Sequence, residues 1–120
     1  MASPKLEKFQ YIVGQHSNLP SRLSEAISNI DMTAWPAPVI RLFLGQTTPA
    51  AVRAAADDPD PAKQTGQVCE ANFFSGEWAL RNGAKDEARR LFLLAAGDCP
   101  KSFVQWGAAR EELTSLGASR

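Results

Sequence analysis

The stretch ANFFSGEWALRNGAKDEARRLFLLAAGDCP, residues 71 to 100, sets small residues at fixed places among large apolar ones. Gly76, Gly83, Ala88, Phe92, Ala95 and Pro100 stand seven, five, four, three and five residues apart. Ala88, Leu91, Phe92 and Ala95 fall at i, i+3, i+4 and i+7, one narrow apolar stripe on an α-helix. Gly76 falls in the middle of the preceding helix, where glycine costs about 1 kcal/mol against alanine. Such a glycine is kept when something large must approach the backbone, and Phe92 fills the space between Ala88 and Ala95. Gly83 supplies the left-handed residue that ends one helix, and Pro100 stops the other. The spacing therefore predicts an antiparallel helical hairpin from about Cys69 to Ala96, turning at Gly83.

The rest of the chain repeats at three and four and shows no period-two strand, so an all-α fold is expected. Ser3 and Pro4 open a short helix with Leu6, Phe9 and Val13 on one side, and Pro20 opens a second with Leu23, Ile27 and Ile30. Thr33 is placed to cap a helix running to Leu44 and stopped by Gly45. Thr48 and Pro49 start a short helix through Val52 to Ala56. After the turn DDPDP, Asp60 and Pro61 open a long helix ending near Asn82 and Gly83. The last helix follows Pro100, with Trp106, Ala109, Leu113 and Leu116 on one face. Its apolar face is expected to pack on the helix bearing Leu91 and Leu94, with Glu111 and Glu112 in water.

With 120 residues the chain is one domain. Thirteen basic and thirteen acidic side chains cancel, which argues against nucleic acid or an anionic membrane as partner. No apolar run of about 18 residues is present, so no membrane span is expected. Nor does the start, MASPKLEKFQYIVGQH, hold the continuous apolar segment of a secretory signal. Catalytic chemistry finds little to work with. His16 is the one histidine, and a Ser–His–acid or Cys–His arrangement would have to use it. Asp57, Asp58 and Asp60 lack the loop glycine and distal glutamate of a calcium loop, and Asp60 has simpler work as a helix cap. No catalytic residue, cofactor site or metal site is assigned, and an enzyme is not expected.

The hairpin spacing resembles the tetratricopeptide repeat (TPR), a 34-residue helix–turn–helix unit with a glycine, an A-x3-F step and a terminal proline. Residues 69–102 form one complete unit and 33–57 a degenerate one. Asn72, Ser75 and Ala79 depart from the large residues the family prefers in its first helix, and the bulk moves to Phe73, Phe74, Trp78 and Leu80. About residues 31 to 118 also look similar to the C-terminal part of bacterial NlpI-type TPR lipoproteins. A generic helical hairpin, which equally wants small residues at its crossing, is the plainer alternative.

The resemblance implies an α-solenoid fragment closed by a capping helix over 102–117. It also implies a protein or peptide partner held along the first helices of the repeats. The residues expected to do this are Glu70, Glu77 and Arg81, in one stripe edged by Phe73 and Phe74, against the alternative of a solvated face with no partner. The competing function is structural, a C-terminal cap of a larger array. In a TPR hairpin Cys69 would open the first helix and Cys99 follow the second, so the two would be neighbours. The chain would bend inward after Gly97 to let them meet. A disulfide there would add about 3 kcal/mol in the chain-entropy model. In a reducing compartment the pair would be two buried thiols; exported relatives favour the bridge and suggest the periplasm. Repeats need about three units to stand, so either residues 1–31 or a second copy of the chain, in a homo-oligomer, completes the core.

Overall fold

A computed structural model of the chain describes residues 32–118, and the two helices expected before residue 31 lie outside them. Five α-helices and no strand make up the described residues: α1 Ala37–Phe43, α2 Pro49–Ala55, α3 Pro61–Arg81, α4 Lys85–Asp98 and α5 Val104–Ala118. The fold is all-α.

Local chemistry accounts for most helix ends. Thr48 caps α2 by accepting from the Ala51 N–H at 3.2 Å, and Asp60 caps α3 by accepting from the Ala62 N–H at 3.0 Å. In each case proline takes the first helical position, where its missing N–H is not needed. Both α1 and α3 end in the same device. Gly45 and Gly83 take φ of +77° and +79°, and the residue after each returns its N–H to a carbonyl five residues back, Gln46 to Arg41 and Ala84 to Ala79, both at 2.9 Å.

Three expected positions move. Thr33 does not cap α1: the helix starts four residues later, beyond a cis Trp35–Pro36 bond, and its N-cap position is Pro36. Paired prolines at 36 and 38 and the restricted residues before them delay the first helical turn. Gly97 does not bend the chain either. α4 runs through Gly97 and Asp98, and the extended residue is Cys99. Cys69 in turn lies in the third turn of α3, not at its start, because Asp60 and Pro61 begin that helix eight residues earlier.

Each helix packs on the next in sequence, and α3 also receives α1 and α5. Helix α3 is therefore the column around which the others are arranged. Gly76 is the close approach on that column. A Cβ built there would lie 2.8 Å from Cε1 of Phe92, inside any normal contact. Phe92 is fully buried, as are Ala88 and Ala95 one turn either side of it. The hairpin is also closed covalently, by a Cys69–Cys99 disulfide with Cα atoms 4.7 Å apart.

Helix α5 covers the far side of α4. Ala109 and Leu116 are buried, while Trp106 and Leu113 are half-buried against the same core. The Arg110 guanidinium sits 5.0 Å from the Trp106 ring centroid and the Lys101 ammonium 6.0 Å, within cation–π range. Of the expected contacts on α4, Leu91 is buried but Leu94 is 40% exposed and faces elsewhere. Glu111 is exposed as expected; Glu112 is half-buried.

Candidate functional site

The stripe expected to meet a partner is inside the molecule. Glu70, Phe73, Phe74 and Glu77 are all buried and Arg81 is half-buried. Glu70 accepts from the indole N–H of Trp35 at 2.9 Å. Phe73 and Phe74 meet edge to face with centroids 5.1 Å apart, and Phe73 lies 5.8 Å from the Phe92 ring. Burial first, and then the neighbouring Glu112 of α5, push the Glu77 carboxyl up to about 9, with Arg81 opposing them. Glu70, Phe73, Phe74 and Glu77 lie within the packing around α3 and do not form an open binding face.

Over residues 69–77, all buried, α3 has no wet side, whereas the stripe reading assigns it one. A signal for this is present in the sequence. Between Lys63 and Arg81 the charged residues are Glu70 and Glu77 alone, and small or aromatic residues occupy every side of the helix. A helix apolar all round is a buried one.

The surface offers a different site. A groove of about 590 Å³ runs between α2 and α4 with α3 as its floor. Val68, Asn72 and Ser75 supply the floor from α3. Leu91 and Leu94 form the apolar part of the α4 wall, and Pro49 and Ala50 face them from α2. Arg53 stands on the α2 rim and Arg90 on the α4 rim, each beside an acid. Arg53 bonds Asp57 at 3.0 Å, and Arg90 holds Glu87 through two nitrogens, one of them at 3.0 Å. That fork keeps the Glu87 carboxyl below its ordinary range, the hydrogen bond acting more than the charge. Val68 and Asp98 of the lining stand next in sequence to the bonded Cys69 and Cys99.

Asn72 and Ser75 were read as departures from a repeat pattern that wants bulk. The groove gives them a use, since large side chains there would fill its floor. Exposed Leu94 could not be assigned from sequence, because the Leu93-Leu94 pair lies at the edge of the α4 stripe and either could turn outward.

A second cavity of about 580 Å³ lies among Trp35, Asp57, Asp58, Asp60 and Lys63. Size does not separate the two, but occupation does. Asp58 accepts from the Asp60 N–H at 2.9 Å, Asp60 caps α3, and Asp57 pairs with Arg53. Its acids build the turn. No group of three His, Cys, Asp or Glu stands ready to hold a metal among the described residues, and no helix among them is long and apolar enough to cross a membrane. His16 lies outside the described residues. No protein-family model matches the chain, and no solved structure matches it.

Proposed function

We propose that the chain is a protein–protein interaction module of TPR type that takes an extended peptide segment of a partner protein in the α2–α3–α4 groove. The repeat reading is supported by the order of packing. Each helix lies on its successor, and the first helices of successive hairpins, α1 and α3, also touch, as they do in a solenoid. The Gly76–Phe92 approach is the small-to-large pairing that the repeat spacing anticipates.

The observation that carries the binding role is the groove itself. Its volume is in the range of built ligand sites, about 300–1,000 Å³. Its lining combines the apolar Leu91 and Leu94 with the polar Asn72 and Ser75 on a rigid floor. Arg53 and Arg90 stand on opposite rims, each with an acid nearby, so a segment carrying both signs of charge around an apolar side chain is the complementary occupant. The partner-facing residues in this reading are Leu94, Arg53 and Arg90.

Selection of a random-peptide display library on the full oxidised chain tests it. Selected peptides should bind the wild type and lose at least about tenfold in affinity to Leu94→Glu or Arg90→Glu, a loss of about 1.4 kcal/mol. Leu93→Glu, on a 58% exposed neighbour outside the groove, should leave binding unchanged. Peptides indifferent to both groove substitutions would refute the site.

The structural reading, a C-terminal cap of a larger array, is favoured by one observation, the burial of the α3 stripe that would have met a partner. A selection that returns no binder to any face supports it.

A further inference from the structure

Asn72 lies in the floor of the α2–α3–α4 groove and is 6% exposed. A side-chain amide carries two donors and an acceptor, and buried groups of that kind almost always have a partner. Other polar side chains here follow the rule. Asn82, at the end of the same helix, donates to the Trp78 carbonyl at 2.7 Å. Thr65 and Thr114 return their hydroxyls to their own helices at 3.0 and 3.1 Å. The Asn72 amide, by contrast, bonds to no protein group among the described residues. Asparagine is also a poor helix former, so neither propensity nor packing accounts for it in mid-helix. Its neighbours in the lining do not compete for it: Val68 and Leu91 are apolar, Arg53 is held by Asp57 and Glu87 by Arg90.

We propose that Asn72 binds the main chain of the segment that occupies the groove. Its amide N–H donates to the carbonyl, and its amide oxygen accepts from the N–H, of one extended residue. The proposal rests on the peptide-binding reading above and names what the floor of that site recognises. A carboxylate would leave the Asn72 oxygen unserved, and an ammonium would leave its N–H groups unserved. A peptide residue in extended conformation turns its N–H and C=O to the same side, as in a ladder pair, and so serves both.

The same geometry sets the side chains. They alternate from one side to the other along an extended segment. With its polar edge on the floor, one side chain meets Leu91 and Leu94 of α4, and the next meets Pro49, Ala50 and the Arg53 rim of α2. The floor contact is indifferent to sequence, and the walls read alternate residues. Ser75, one turn along and 2% exposed, sets the depth of the floor.

The probe is the tightest peptide from the display selection whose affinity falls with Leu94→Glu or Arg90→Glu. Isothermal titration measures it against the full oxidised chain, with each peptide nitrogen methylated in turn. Asn72→Ala should weaken the parent peptide at least about fivefold. At one position, methylation should cost at least about fivefold more on the wild type than on Asn72→Ala, a coupling that a merely structural role for Asn72 would not produce. Should Asn72→Ala fail to fold, Asn72→Ser, which keeps a polar floor without the reach, carries the same cycle. Equal methylation losses on wild type and variant at every position would overturn the proposal and leave the groove as the binding site. Coupling of Asn72 to a peptide side chain in place of a peptide nitrogen would overturn it too. A selection that yields no groove-dependent peptide would overturn both readings.

Discussion

The α1–α2 and α3–α4 hairpins turn the same way and are held differently. Both first helices end on a glycine at positive φ, followed by an N–H returned to a carbonyl five residues back. Yet α1 and α2 are seven residues each, while α3 has 21 and α4 has 14. A seven-residue helix is under two turns and does not persist in water without tertiary support. The first hairpin draws that support from α3, through Val39, Ile40, Leu42 and Val52, all buried, and through the Trp35–Glu70 bond. The second carries its own, in the Gly76–Phe92 approach, the Phe73–Phe92 ring contact and a disulfide. Turn chemistry sets the direction of a hairpin; length and cross-chain ties decide whether it stands alone.

The largest expected effect comes from emptying the centre of the second hairpin. Phe92→Ala should cost about 3–5 kcal/mol in urea unfolding, the range for truncating a buried aromatic. A loss below about 1 kcal/mol would mean that α3 and α4 do not meet there.

Opening the disulfide ranks next. Replacing Cys69 and Cys99 together by Ala should cost about 3 kcal/mol, chiefly by freeing the unfolded chain. Free-thiol titration and peptide mass spectrometry of unreduced protein check the bond itself. An unchanged urea midpoint in the double variant would place the stability of the hairpin wholly in its packing.

A smaller contrast separates two glycines of the same hairpin. Gly76→Ala gains about 1 kcal/mol of helix propensity but drives a methyl into the ring of a buried Phe92, and overpacking costs about 1–3 kcal/mol. A net loss is expected. Gly97 also lies in a helix, yet nothing stands within 4 Å of a Cβ built there. Gly97→Ala should therefore gain about 0.5–1 kcal/mol. Like signs for the two changes would show that propensity, not the approach of Phe92, governs residue 76.

How much of this could be read beforehand follows from the range of each interaction. Thr48, Asp60, Gly45 and Gly83 act on residues within one turn, so their caps were visible in the sequence. The need for a close approach at Gly76 was visible too, but that Phe92 makes it came only with the packing of α4 on α3. Thr33 misleads because Pro36 and the restricted residue before it stand between it and the start of α1. The burial of Glu70 and Glu77 depends on Trp35 and Glu112, each 35 residues away along the chain. No local pattern reports such a partner. The groove was hidden for the same reason, since its walls come from α2 and α4 and its floor from α3.

Native-state hydrogen exchange across the two hairpins tests the central claim most directly, that α3 and α4 form the stable unit on which α1 and α2 depend. Under low denaturant at fixed pH, buried amides between residues 69 and 98 should exchange only by global unfolding. Those between 37 and 55 should exchange through a smaller opening, at least about 1–2 kcal/mol below the global value. Amides of α1 and α2 that open together with α3 and α4, at one common free energy, would contradict it.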